Sequence, residues 1–175
     1  STDFGDLEFV TGWASGLDNG TRGVFSGFNN TSATGAILFV IIKMFGKISG
    51  AHFNPIVTMI FYLKKEINLE ESIKYILIQI ISGLFAIIAV HFIFEQSIIQ
   101  ISQKVRGEWP LLISEIIATL GLILTILLIR KNDEDSVAIG VALFITAGYW
   151  FTSSTSFANP AVTIARMFTN TFTGI

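Results

Sequence analysis

The sequence predicts an all-α membrane protein built from a duplicated unit, and three observations support this fold class. Hydrophobic residues make up 51% of the 175 residues and charged residues only 14%, against about 25% in soluble proteins. Several apolar runs are long enough to cross a bilayer. A short phrase centred on Asn-Pro occurs twice, at residues 53–58 and 158–163, directly after an apolar run each time. Two matching contexts predict an internal repeat within a single domain, residues 1–175.

Composition and charge exclude several classes of function. The net charge of −2 is too small to predict a nucleic-acid partner. There is no cysteine, which excludes a disulfide, a zinc–thiolate site and a cysteine nucleophile. Glu115 is the one acid expected inside the membrane, and no nucleophile, metal cluster or phosphate-binding loop accompanies it. We therefore expect no enzyme, no metal site and no cofactor.

Four apolar runs predict membrane-spanning helices. They cover residues 31–46, with a start as early as 24, and residues 73–94, 110–129 and 137–155. At about 1.5 Å per residue, a run of about 20 residues crosses a hydrocarbon core of about 30 Å. Lys43 lies inside the first run, and we expect its side chain to reach toward the interface. The charged stretches 64–74, 95–109 and 130–136 are predicted to be exposed loops.

The segments 54–63 and 159–168 are predicted to be helices of half the usual length. Each is apolar but only ten residues long, which gives about 15 Å of helix, or half a bilayer. In each, the asparagine is suited to cap a helix and the following proline to occupy its first position. Irregular backbone at membrane depth must be buried in protein or line a watery cavity. These segments therefore predict two re-entrant half-helices.

The basic residues predict one orientation in the membrane. Most of them share a side if the loops near Lys47, Lys64, Lys65, Lys74, Arg130 and Lys131 face the same way. The opposite side then carries Arg22, Lys104, Arg106 and Arg166. Because cytoplasmic loops carry an excess of Lys and Arg, the first side should be cytoplasmic.

Three stretches resemble the aquaporin (major intrinsic protein) family of channels. They are residues 48–58 (Ile-Ser-Gly-Ala-His-Phe-Asn-Pro-Ile-Val-Thr), residues 156–161 (Ser-Phe-Ala-Asn-Pro-Ala) and residues 114–119 (Ser-Glu-Ile-Ile-Ala-Thr). The resemblance covers residues 31–175. It implies six tilted helices and two re-entrant half-helices that meet at the bilayer midplane, related by an inverted repeat. It also implies a homotetramer with one pore per subunit.

This resemblance implies a passive channel for water or small neutral solutes such as glycerol, urea or undissociated metalloid acids. The side-chain amides of Asn54 and Asn159 would donate hydrogen bonds to the passing solute, and carbonyls of residues 50–52 and 154–157 would accept them. The positive ends of the two half-helices would repel cations and protons where they meet. At this centre the resemblance also places Pro55, Ile56, Pro160 and Ala161, with His52 beside the first motif.

The sequence departs from the family pattern at positions that decide selectivity. Ile56 stands where alanine is usual, and Val162 stands where an arginine usually follows the second motif. Counting back from the motifs without gaps places Thr34, Ala147 and Ser156 at the other filter positions. These four small side chains predict a wide, glycerol-facilitator-like filter. Arg166, one helical turn beyond Val162, is either a displaced filter charge or a mouth residue that satisfies loop carbonyls.

Other polar and aromatic residues carry weaker predictions. The resemblance implies that Glu115 is a structural brace, accepting hydrogen bonds from amides of the second loop, while a proton relay and an interfacial position stay open. His91 is expected at the interface. Trp109, Tyr149 and Trp150 are expected in an aromatic belt.

The family's outer helices are the largest departure. Residues 1–30 contain several charges and glycines and predict an atypical or degraded first helix, and no run corresponds to a sixth helix. The alternative to a conducting channel is therefore a non-conducting fragment or degenerate remnant. A bacterial inner membrane is the expected location.

Overall fold

The computed structural model describes residues 20–103 and 107–170, with side chains from residue 31 onward, and every regular element within these ranges is helical. The elements are α1 (Gly20–Ser49), α2 (Pro55–Leu63), α3 (Leu69–Ile93), α4 (Trp109–Asn132), a short 3-10 helix (Glu134–Ser136), α5 (Val137–Phe151) and α6 (Pro160–Arg166). The predicted all-α class is confirmed.

Three described helices are long and apolar enough to cross a membrane: Thr31–Ser49, Leu69–Ile93 and Trp109–Asn132. The fourth predicted span, α5, has 15 residues and ends at Phe151, earlier than expected. The non-helical segment 152–159 follows α5 and connects it to α6. Residues 20–30 are helical and continue into the apolar part of α1, while residues 1–19 of the expected atypical segment lie outside the described ranges.

Local chemistry explains where the helices begin. The side chain of Asn68 accepts a hydrogen bond from the Glu71 amide, and the Glu71 carboxylate accepts one from the Asn68 amide, which forms a capping box at the start of α3. Asn54 and Asn159 cap α2 and α6, and a proline follows each of them. The predicted half-helices are thus present, with nine residues in α2 and seven in α6.

Helix packing depends on small side chains at the close approaches. α1 packs on α5, α5 on α4, α2 on α3, and α3 on α6. At the last contact, a Cβ on Gly83 would lie 3.3 Å from the Ala165 Cβ. A small core around Val57, Ala118 and Leu122 joins α2 to α4. Most other large apolar side chains are exposed, as expected for a surface that faces lipid.

Ion pairs identify one end of the molecule, which we call the basic end. Glu66, after α2, pairs with Lys64 at 2.9 Å and with Arg130 near the end of α4 at 2.5 Å. Lys43 of α1 pairs with Asp135 of the 3-10 helix at 3.5 Å. Lys43 therefore reaches a charged partner outside the apolar region, as predicted. α2 and α4 finish at this end. α6 packs further along α3, because Ala165 approaches Gly83 and Thr169 reaches His91, whereas Thr58 of α2 contacts Gln79.

Candidate functional site

The two loops that precede Asn54 and Asn159 follow the same unusual backbone path. Counted from the asparagine, the first, third and fourth residues back have positive φ in both loops. The values are 44°, 45° and 73° for Phe53, Ala51 and Gly50, and 47°, 51° and 60° for Ala158, Ser156 and Thr155. Only one of these six residues is glycine, the residue that adopts this region freely. The match supports the predicted duplication at the level of individual residues.

Each asparagine joins the two halves. Asn54 Nδ2 donates to the Ala158 carbonyl at 2.6 Å, and Asn159 Nδ2 donates to the Phe53 carbonyl at 2.8 Å. Their Oδ1 atoms accept from the amides of Ile56 and Ala161 at 2.9 and 3.0 Å, which caps both half-helices. A side-chain amide has two N–H donors, so each asparagine keeps one for another partner.

Glu115 holds the second loop in place. Its Oε1 accepts from the Phe157 amide at 3.0 Å, and its Oε2 accepts from the Ala158 amide at 2.8 Å. Next to it, the Ser114 hydroxyl accepts from the Ser153 amide at 3.0 Å. The predicted contact of Glu115 with amides of the second loop is therefore present. Because both carboxylate oxygens bind backbone, the arrangement favours a brace over a proton relay.

A network of neutral groups holds the first loop. His52 Nδ1 lies 3.2 Å from the hydroxyl of Thr58, which is fully buried, and Gln79 Nε2 donates to the same hydroxyl at 3.1 Å. The Tyr75 hydroxyl donates to the Ser49 carbonyl at 2.9 Å. Sequence reasoning missed Gln79 and Tyr75. A signal was available for Gln79, because an amide within an apolar span is costly unless it has a partner.

A cavity of about 630 Å³ extends from the basic end past the two asparagines to Arg166. Seven predicted site residues line it: Thr34, His52, Asn54, Ser156, Asn159, Val162 and Arg166. The two prolines, Ile56 and Ala161 of the motifs support the half-helices without lining it. Within the described residues, no group of three His, Asp or Glu is placed to hold a metal ion.

The structure corrects the ungapped count that placed Ala147 at the filter. Ala147 is exposed and does not line the cavity, whereas Ile145 and Tyr149 do. Residues four apart share a helix face, and a residue midway between them points away. Tyr149, which was expected in an aromatic belt, therefore lies on the face of α5 that lines the cavity.

Ser156 lines the cavity, but its hydroxyl is packed against α5. The residue is 5% exposed, and its Oγ is buried without a hydrogen-bond partner. A Cβ built on Gly148 would lie only 2.7 Å from this Oγ. Ser156 therefore contributes mainly its backbone to the cavity, and Gly148 provides the room for its side chain.

Two further residues differ in their settings. The Arg166 guanidinium lies over the Phe157 ring, 4.2 Å from its centroid, at the opposite end from Arg130. His91 was expected at the interface, but it is 1% exposed. Its ring nitrogens lie 3.0 Å from the Ile98 carbonyl and from the Thr169 hydroxyl. Both ring nitrogens of His91 therefore have protein partners, where those of an interfacial histidine would bind water.

Comparison with known proteins agrees with this architecture. The family described as Major intrinsic protein matches residues 9–136, and the chain belongs to this family of membrane channels, which are not enzymes. The Aquaglyceroporin AqpS of Rhizobium meliloti (strain 1021) is 44% identical over 146 residues, 83% of this chain and 63% of the relative.

More distant relatives extend the comparison across the family. Aquaporin NIP2-1 of Zea mays is 26% identical over 176 residues, which cover 97% of this chain and 60% of the relative. The Glycerol uptake facilitator protein-like 6 of Lactiplantibacillus plantarum is 30% identical over 115 residues, 66% of this chain and 42% of the relative. The chain thus spans less than two thirds of the length of each.

Proposed function

We propose that this chain forms a passive transmembrane channel for water and small neutral solutes. The observation that carries the proposal is the pair of crossed asparagines in the cavity. Asn54 and Asn159 each use one amide N–H on the opposite loop and keep one donor for a solute. Carbonyls of the two left-handed loops supply acceptors beside them, and apolar walls keep binding weak enough for release.

Exclusion of cations and protons follows from the same centre. α2 and α6 begin next to each other, so their unpaired amides and partial positive charges face one region. A cation there would lose water without gaining acceptors of sufficient strength. A neutral solute loses less and is passed between donors and acceptors.

A broad pore is the favoured form of this function. Val162 carries no charge, Thr34 is small, and the Ser156 hydroxyl is turned toward Gly148. This leaves room for glycerol, urea or an undissociated metalloid acid as well as water. The name of the Rhizobium meliloti relative, an aquaglyceroporin, supports the same solute class.

Swelling of proteoliposomes in stopped flow, with water, glycerol and urea as the test solutes, tests the channel. We expect the wild-type chain to exceed empty liposomes for water and at least one of the two solutes, and Asn159→Ala to lose most of this rate. Asn68→Ala is the matched control, because Asn68 caps α3 at the surface and does not line the cavity. Wild-type rates equal to those of empty liposomes for all three would overturn the proposal.

Arg166 is proposed as a displaced filter charge. It lines the cavity one helical turn beyond Val162, and stacking on Phe157 fixes its guanidinium. Arg166→Ala should raise the leak of cations and of larger solutes, and the exposed neighbour Met167→Ala should not. If Arg166→Ala keeps wild-type selectivity, the residue serves only to satisfy the loop at the mouth.

Assembly as a homotetramer in a bacterial inner membrane completes the proposal. Membership of the family supports the membrane location, and the bacterial relatives support the type of membrane. The mass of the detergent-solubilised assembly, corrected for bound detergent, tests the tetramer.

The second candidate is a non-conducting, degenerate remnant of such a channel. Its support is the composition of residues 1–30, whose charges and glycines are atypical of a first membrane-spanning helix. A folded, membrane-inserted chain whose liposomes swell no faster than empty ones would favour it.

A further inference from the structure

A stacked pair of side chains lines each half of the cavity at equivalent positions of the repeat. In the first half, His52 stacks on Phe61, with ring centroids 4.6 Å apart. In the second half, Arg166 lies 4.2 Å from the centroid of Phe157. His52 and Phe157 both stand two residues before their asparagine, and Phe61 and Arg166 both stand seven after it. All four line the cavity.

The basic end gains a guanidinium by a different route. The equivalent position on α2 is Phe61 rather than an arginine, but Arg130 of α4 places its guanidinium carbon 4.8 Å from the centroid of that ring. Arg130 also lines the cavity. Each mouth therefore has one phenyl ring and one guanidinium, although the arginines come from unrelated positions.

Two carboxylates hold Arg130 in position. Its Nη1 donates to Glu66 Oε2 at 2.5 Å, and its Nε donates to Glu134 Oε1 at 3.4 Å. Glu66 is bound in turn by Lys64. Among the described contacts, Nη2 has no protein partner. A guanidinium fixed on two sides is a rigid donor, and at this partly exposed site its positive charge offsets the two carboxylates that bind it.

We propose that Arg130 and Phe61 form a second selectivity filter at the basic mouth, in series with the one at Arg166. This inference rests on the proposed channel function. Planar donors next to an aromatic face suit a neutral polyol, which carries hydroxyls on one side and C–H groups on the other. The same guanidinium offsets the carboxylates of Glu66 and Glu134, which would otherwise attract cations to this mouth.

The test uses the reconstituted full chain with Arg130→Gln and the matched control Lys131→Gln. Lys131 is the next residue, exposed and outside the cavity lining, so both variants remove one positive charge from the same end. We expect Arg130→Gln to raise the potassium leak on the order of tenfold, the factor that a barrier lower by about 1.4 kcal/mol produces. It should also lower the preference for glycerol over a five-carbon polyol by about threefold. Lys131→Gln should match wild type in both.

Two more variants keep the inference testable if Arg130→Gln does not fold. Arg130→Lys should preserve cation exclusion and lose polyol preference, because it keeps the charge without the planar fork. Phe61→Leu should lose polyol preference alone. Wild-type behaviour in every folded variant overturns the second filter while leaving the channel intact. A wild-type chain that moves no solute overturns the channel and this filter with it.

Discussion

The loops before Asn54 and Asn159 share a backbone path but are held by different chemistry. A carboxylate from α4 binds two amides of the second loop. The first loop is held by hydrogen bonds between neutral groups. The Thr58 hydroxyl of α2 contacts His52 of the loop and accepts from Gln79 of α3. The caps and crossed amides that define the path are the same in both halves. The geometry of the centre therefore depends on the repeated motif, whereas the contacts that stabilise each loop differ between the two halves.

This difference predicts unequal sensitivity to mutation. Hydrogen bonds to a charged group are stronger than those between neutral groups, and losing them leaves buried amides unpaired. The second loop depends on one side chain, whereas the first divides its support among several. Single substitutions should therefore damage the second loop more.

The largest effect is expected for Glu115→Ala. It removes the acceptor of two backbone amides and should lower the free energy of unfolding by about 3 kcal/mol, measured by thermal or denaturant unfolding in detergent. Glu115→Gln, which keeps one acceptor oxygen, should lose about half as much. Glu108→Gln is the control, because Glu108 makes no capping hydrogen bond at the start of α4. Equal stability of Glu115→Ala and the control would contradict the role of Glu115 as a structural brace of the second loop.

The next effect concerns the close approach of α5 to the second loop. Gly148→Ala would place a Cβ 2.7 Å from Ser156 Oγ and should cost about 2 kcal/mol by overpacking. Gly46→Ala is the matched control, since a Cβ there meets nothing within 4 Å. The double variant Gly148→Ala, Ser156→Gly should recover most of the loss in a detergent melting curve. A double variant as unstable as the single one would show that Ser156 is not the obstacle.

The sequence was sufficient for the centre of the site because its signals are local. Asparagine caps, the prolines after them and the short apolar lengths predicted both half-helices to within a few residues. The Glu115 contact was predicted from the resemblance, and its geometry agrees. These features depend on neighbours along the chain or on a motif read residue by residue.

The remaining features depend on contacts between distant elements. The Ala147 position failed because a count along the chain does not fix which face α5 turns inward. His91 looked interfacial from its place in the span, but its partners lie on the following loop and after α6. The stack of Arg130 on Phe61 joins α4 to α2, and no local pattern indicates it.

The threonines four residues after each asparagine sharpen the comparison further. Both hydroxyls donate to the asparagine carbonyl at 3.2 Å. The Thr58 hydroxyl also contacts His52 and accepts a hydrogen bond from Gln79. Among the described contacts, the Thr163 hydroxyl makes only the bond to the asparagine carbonyl. Thr58→Val should therefore cost about 1.5 kcal/mol and Thr163→Val less than about 0.5 kcal/mol in the same unfolding measurement. Equal losses would mean that the neutral network contributes nothing to the first loop.

A smaller effect than that of Thr58→Val is expected at the basic end, where the first half-helix finishes in an ion-pair cluster. The hydrogen bond from Arg130, and then that from Lys64, holds the pKa of Glu66 below its usual range. A lowered carboxyl pKa stabilises the fold above the unfolded value of about 4.3, and this contribution disappears as the pH falls through the folded value. The free energy of unfolding of Glu66→Gln should therefore be lower than that of wild type at neutral pH. The difference should be less than about 1 kcal/mol, because the site is partly exposed.

The two melting curves should converge as the pH drops below about 4, since protonated Glu66 and glutamine are then both neutral. Glu70→Gln is the control, because its described partner is the exposed Lys74. A constant difference between Glu66→Gln and wild type from neutral to acid pH would assign the effect to packing. The cluster would then position Arg130 through packing, and the charge of Glu66 would contribute little to the basic mouth.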